Sequence, residues 1–141
     1  MKEYTTITVE NSKQQVIELI NFLNDIKKFN SEIISYNLGV VRFYGITKDD
    51  SNREISKNPT IFSDWNLFLE LITNIEQIYE IELLIDNDKK NIQRYSNEID
   101  AYKNNYICLE YFDGGFWEIT SKDNLLIGYL AEKYPPCSHT I

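Results

Sequence analysis

His139, the only histidine of the chain, stands two positions after Cys137, the one spacing here that brings a thiol near an imidazole. A cysteine nucleophile needs its base oriented by a third group, and the residues around this pair supply none. Together with Cys108 the pair makes three zinc ligands, where a closed structural site takes four, and the spacing matches no zinc motif. Asp86-Asn87-Asp88 opens like a calcium loop, but its sixth position is Asn91 rather than glycine and its twelfth is Asn97 rather than glutamate. None of the 5 glycines has the spacing of a loop that cradles phosphate. With 22 acidic residues some carboxylate pair for acid–base work is always available, but no local pattern singles one out. The expectation is a protein that is not an enzyme and holds no metal or cofactor.

The most informative segment is a hairpin. Asn105 to Phe112 and Phe116 to Thr120 read as strands around Asp113-Gly114-Gly115. A two-residue loop sets Tyr111 opposite Glu118. A three-residue loop, with Gly115 in the left-handed position of a bulge, sets Phe112 opposite Phe116, Tyr111 opposite Trp117 and Leu109 opposite Ile119. A one-residue slip flips every side chain, so the clean apolar face favours the longer loop. That register also makes Glu110 and Glu118 neighbours on the other face, where like charges repel by some tenths of a kcal/mol. Either an internal cation such as Arg42 relieves them, or the face awaits a basic partner.

Around the hairpin, Tyr4 to Val9 is dense in β-branched residues and predicts a strand. Asn11 or Ser12 then caps a helix over 13–28, carrying Val16, Leu19, Ile20 and Leu23 on one face. Glu32 to Tyr36 and Val40 to Ile46 read as two strands joined by a turn at Asn37-Leu38-Gly39. The polar stretch 47–60 reads as a surface loop. Ser63 is expected to cap a second helix, with Asp64 in its first turn and Trp65, Phe68, Leu71, Ile72, Ile75 and Tyr79 as the buried stripe. Glu80 to Ile85 is strand-like. Ile92, Tyr95, Ile99 and Tyr102 form a narrow helical stripe over 88–103. Ser121 caps a last helix with Leu125, Leu126, Tyr129 and Leu130 inward, stopped by Pro135-Pro136. This order of elements predicts one α+β domain over 1–141: a mainly antiparallel sheet of five or six short strands, two or three helices on one face, and a mobile tail over 135–141.

At 141 residues the chain has the length of a single domain. Its formal charge of −8 is concentrated after residue 70. Such a field repels phosphate backbones and anionic membranes, which argues against nucleic acid and membrane as partners, and it steers basic proteins inward. Two cysteines make no disulfide framework, and Cys108 in an apolar run is expected to be a buried reduced thiol. No apolar targeting segment follows Met1, and no apolar run approaches the ~20 residues of a membrane span. The expected compartment is the cytoplasm. The heavy use of Ile, Asn and Lys is similar to the bias of AT-rich bacterial genomes.

A small acidic chain with Phe62-Ser63-Asp64-Trp65 before a helix and Tyr111-Phe112-Asp113-Gly114-Gly115-Phe116-Trp117-Glu118 in a hairpin resembles the immunity proteins of bacterial toxin systems, contact-dependent inhibition and polymorphic toxins among them. The resemblance is one of style across the whole chain. It implies a protein that neutralises a toxin, often a basic nuclease, by covering it with acidic and aromatic residues. The expected contacts are Asp86, Asp88, Glu110, Asp113 and Glu118, with Tyr111, Phe112 and Trp117 as aromatic anchors. Tyr111 and Trp117 also belong to the expected core, and the two roles compete. The alternative reading is a regulatory domain whose sheet and helices enclose an aromatic pocket for a small molecule.

Overall fold

A computed structural model of the chain describes residues 3–10, 14–48, 53–54, 60–112 and 115–134. Its elements in chain order begin with β1 (Thr5–Glu10), α1 (Gln15–Phe29), a 3-10 turn (Ser31–Ser35) and β2 (Asn37–Thr47). Next come β3 (Arg53–Glu54), β4 (Thr60–Phe62), α2 (Trp65–Thr73) and β5 (Ile75–Asp86). A 3-10 turn (Lys89–Asn91), α3 (Glu98–Asn104), β6 (Ile107–Phe112), β7 (Phe116–Ser121) and α4 (Asn124–Lys133) complete the described chain. The fold is α+β, as the sequence predicts. All pairings are antiparallel, in the order β1-β7-β6-β5-β2-β3, with β4 also paired to β2. Among the described residues the main path holds six strands, with the three-residue β4 paired beside it, and β2 and β5, at 11 and 12 residues, are longer than the short strands expected.

Alternation along the strands creates two unequal faces. On the first, the rows Ile7–Ile119–Leu109–Leu83–Val40 and Val9–Trp117–Tyr111–Ile81–Phe43 cross five strands without a charge. Onto them pack Leu19, Phe22, Leu23 and Ile26 of α1, Phe68 and Ile72 of α2, and Leu126, Ile127 and Leu130 of α4. Three helices on one face is the predicted arrangement. The second face carries a smaller cluster of Val41, Leu84, Ile92, Ala101 and Cys108 beneath α3. Cys108 is the expected free, buried thiol, and burial pushes its ionisation well up.

Several local expectations are corrected. Glu32 to Tyr36 is a 3-10 turn, because the Asn30 side chain accepts from the Glu32 amide (3.2 Å) and Ile33 drops into the core with no exposure. Asn37-Leu38-Gly39 is strand, not turn. Gly39 is needed for space: a Cβ there would lie 2.0 Å from Cγ2 of Ile92. The cap of α2 is Asp64 rather than Ser63, accepting from Asn66 (2.8 Å) and Leu67 (3.4 Å). That helix ends at Thr73, so Ile75 and Tyr79 belong to β5, and Leu71 is 43% exposed. Asp123, held by Ser121 Oγ at 3.0 Å, caps α4, and Leu125 points outward. The single helix over 88–103 is broken. Asp86 and Asp88 take the amides of Asp88 and Lys90, and Asn97 starts α3 afresh by accepting from Asp100, so side chains compete with the helical ladder. The expected caps Asn11 and Ser12, most of the loop 47–60, Pro135-Pro136, Cys137 and His139 lie outside the described residues.

Gly39→Ala is expected to lower stability by about 1–3 kcal/mol, the usual cost of forcing atoms into a filled site. Urea unfolding measures it, and an unchanged midpoint would contradict the close approach of Ile92 to β2.

Candidate functional site

Trp117 and Tyr111, both expected anchors, lie inside. Trp117 has no exposure and its indole Nε1 donates to Glu18 Oε1 at 2.9 Å; Tyr111 is 4% exposed, its ring 5.0 Å from that of Trp117. The core role wins because the hairpin adopts the predicted three-residue register. Phe112 pairs with Phe116, Tyr111 with Trp117 and Leu109 with Ile119, and Gly115 has φ +89°. Asp86 is also corrected. It is buried, and its carboxylate accepts from the amides of Asp88 (3.0 Å) and Tyr106 (2.9 Å) and from the Asn91 amide group (2.9 Å). It clasps the end of β5 to the start of β6. Asp88 is an exposed cap of the Lys89–Asn91 turn, and Asp113 lies outside the described residues.

The remaining expected contacts, Glu110, Glu118 and Phe112, come together on the second face of the sheet. The same register sets Glu110 directly opposite Glu118. β5 then adds a third carboxylate, because Glu82 pairs with Glu110. A register shift in β2 between Val40 and Arg42 brings Arg42 opposite Glu82. The row Thr8–Glu118–Glu110–Glu82–Arg42 thus crosses five strands, and directly opposed side chains in such a row stand about 5 Å apart at Cβ. α3 and the segment before it overhang one end. There Arg42, Glu82, Glu110 and Phe112 face Tyr95, Ser96, Asn97 and Glu98 across a cleft of about 200 Å³.

The charges in this row are only partly matched. Arg42 reaches Glu82 at 3.8 Å, but its side chain is 57% exposed and it sits at the far end of the row from Glu118. Arg94 donates Nε to the carbonyl of Val41 at 2.8 Å, which satisfies the strand where its register shifts, and its charge also favours ionised Glu82. Burial still raises the Glu82 carboxyl above its ordinary range, helped by Glu98. Glu110 is the extreme case, at 2% exposure. Its Oε1 accepts a hydrogen bond from the Tyr102 hydroxyl of α3 at 2.7 Å. Burial first, then the charges of Glu82, Glu98 and Glu118, push its ionisation from 4.5 up to about 7, against the pull of the Tyr102 hydroxyl. Tyr102 is in turn held firmly protonated by burial and by Glu110. Among the described residues no three acidic, thiol or imidazole groups converge to hold a metal ion.

Of these residues the sequence reading named Glu110, Glu118 and Phe112, and named Arg42 only as a possible relief. It missed Glu82, Glu98, Tyr95 and Tyr102. Glu82 stands at an outward position of a predicted strand, so its partner across the sheet was the missing information. Tyr102 falls on the narrow helical stripe predicted over 88–103, a pattern that carries no information about where its hydroxyl goes.

A carboxyl whose folded ionisation lies above its unfolded value adds stability that is complete below the unfolded value and lost as pH rises through the folded one. For Glu110 that window runs from 4.5 to about 7, and a shift of this size is worth on the order of 3 kcal/mol. Stability measured by urea unfolding is therefore expected to fall across this window. Glu110→Gln, which keeps an acceptor for Tyr102, is expected to flatten the fall and to be the more stable protein at pH 8. Identical pH profiles for the two proteins would refute the electrostatic picture.

No protein-family model, curated protein or solved structure matches this chain.

Proposed function

We propose that this protein works by binding, and that its glutamate row receives cationic side chains of a basic protein partner. The observation that carries the reading is Glu110, a carboxyl buried in a row of like charges and supported by a tyrosine hydroxyl rather than a cation. An arginine or lysine entering the cleft would bring the missing charge. It would draw the Glu110 proton off and exchange a repulsive row for charge-assisted hydrogen bonds. Glu82, Glu118 and the half-buried rings of Phe112 and Phe116 stand at the open side of the same face, so acidic and aromatic groups are presented together. Net charge adds long-range steering.

The class this fits best is an immunity protein that neutralises a toxin in the cytoplasm of the cell that makes it, the toxin being most simply a basic nuclease. Among the described residues no helix is long and apolar enough to cross a membrane. A second reading has its own observation in favour. A carboxyl that titrates near 7 beside a second raised carboxyl, both lining a cleft, is what general acid–base catalysis uses.

Affinity capture from source-cell lysate, comparing the wild type with a Glu82→Gln/Glu118→Gln variant, separates these readings. The expected result is one basic protein retained by the wild type at low salt, weakened at high salt and at pH 5.5, and at least tenfold weaker on the variant. The variant itself is expected to be slightly more stable than the wild type. Toxicity of the captured protein when expressed alone would assign immunity. Equal retention by both proteins, or an empty capture with the protein folded, would sink the acidic-face reading and favour the catalytic one.

A further inference from the structure

The first face of the sheet holds a second, chemically opposite feature. Between α2 and the β2–β5 end of the sheet lies a cavity of about 230 Å³. Phe43 and Ile81 form its floor, Phe68 and Ile72 its roof, and Phe62 of β4 its outer wall. Among the described residues no ionisable side chain lines it, and Thr47 and Thr60 are its only polar side chains. Native cores rarely leave voids larger than one water, and a water takes about 30 Å³ in the liquid. Lined this way, the space gives a cluster of waters too few polar partners to hold it.

The space is built into the backbone. Within four residues of β2 the pairing with β5 shifts register twice, between Tyr44 and Gly45 and again between Ile46 and Thr47, and such shifts bend a strand. Gly45 lets the Phe43 ring lie against the strand: a Cβ there would meet Phe43 Cζ at 2.7 Å and the Gln77 carbonyl oxygen at 2.3 Å. The floor of the cavity is thus set by a glycine that keeps an aromatic ring flat. At the mouth, Leu71 is 43% exposed and Thr60 is exposed, so among the described residues the space opens beside a flexible leucine side chain.

We propose that this cavity is a binding site for a small neutral aromatic molecule of about the size of indole, with at most one polar edge, turned toward the mouth at Thr60. The volume sets the size, since an apolar cavity of about 150 Å³ takes benzene. Three phenylalanines favour an aromatic ring in tilted contact. The uncharged lining rejects a carboxylate or an ammonium, which would be desolvated without a counter-ion. This site lies on the opposite side of the sheet from the glutamate row, and its occupancy does not depend on that row.

Indole is the probe, titrated into ¹³C-methyl-labelled protein and read at the methyls of Ile72, Ile75 and Ile81. Shifts that saturate with a Kd below about 1 mM are expected, with indole-3-carboxylate at least tenfold weaker. Leu71→Trp, which plugs the mouth from a partly exposed position, is expected to weaken indole at least tenfold. Intermolecular NOEs from the indole ring to Ile72 and Ile81 in the wild type decide the matter even if that variant fails to fold. Shifts that stay linear, NOEs to other residues, or undiminished affinity in a folded Leu71→Trp protein would each overturn the proposal.

Discussion

Phe112 and Phe116 face one another across a turn in which Gly115 has φ +89°, and this pairing decides where every side chain of β6 and β7 points. A shift of one residue would turn Trp117 outward and Glu118 inward. In the observed register Trp117, with no exposure, takes the centre of the first face, where it meets Phe22 of α1 edge-on at 5.3 Å and donates to Glu18. α1 is therefore positioned by a ring that the hairpin aims. α4 is then tied to α1 through Asp25, which accepts from Lys133 at 3.2 Å and from the Tyr134 hydroxyl. The placing of α1, and of α4 through it, thus follows from one turn geometry.

The same geometry loads the other face. Once Tyr111 and Trp117 point inward, Glu110 and Glu118 must share a row on the outside, and β5 extends that row with Glu82. A fold optimised only for stability would place a lysine or threonine at one of these positions. Instead α3 covers Glu110, and this burial, working against the pull of the Tyr102 hydroxyl, keeps the carboxyl protonated until pH approaches about 7. Residues that violate the local rules of stability tend to mark functional sites. The polar end of the sheet stores repulsion, while the apolar cavity under α2 lies on the opposite face, so the two features are separate in space and in chemistry.

How much of this the sequence discloses follows the range of the interactions. The hairpin register was legible because apolar alternation and a glycine settle it within a dozen residues, and Glu110 opposite Glu118 came with it. Segments governed by distant partners were not. Gly39 looks like a turn residue, and only the approach of Ile92 from the Lys89–Asn91 region explains why it lies mid-strand. Asp86 looks like a surface carboxylate, but three donors turn it inward. Glu82 entered the row through the non-local pairing of β5 between β2 and β6, which no local pattern records.

The central claim is that three glutamates and too few cations share one row, with Glu110 at its centre. The most direct measurement is an NMR titration of the Glu110 side-chain carboxyl carbon in the free protein, repeated in Glu82→Gln and Glu118→Gln. The account predicts a midpoint about 7 in the wild type, moving down in each variant as a like charge is removed, while burial holds it above the ordinary carboxylate range. A midpoint below 5 in the wild type, or one that neither substitution moves, would contradict it.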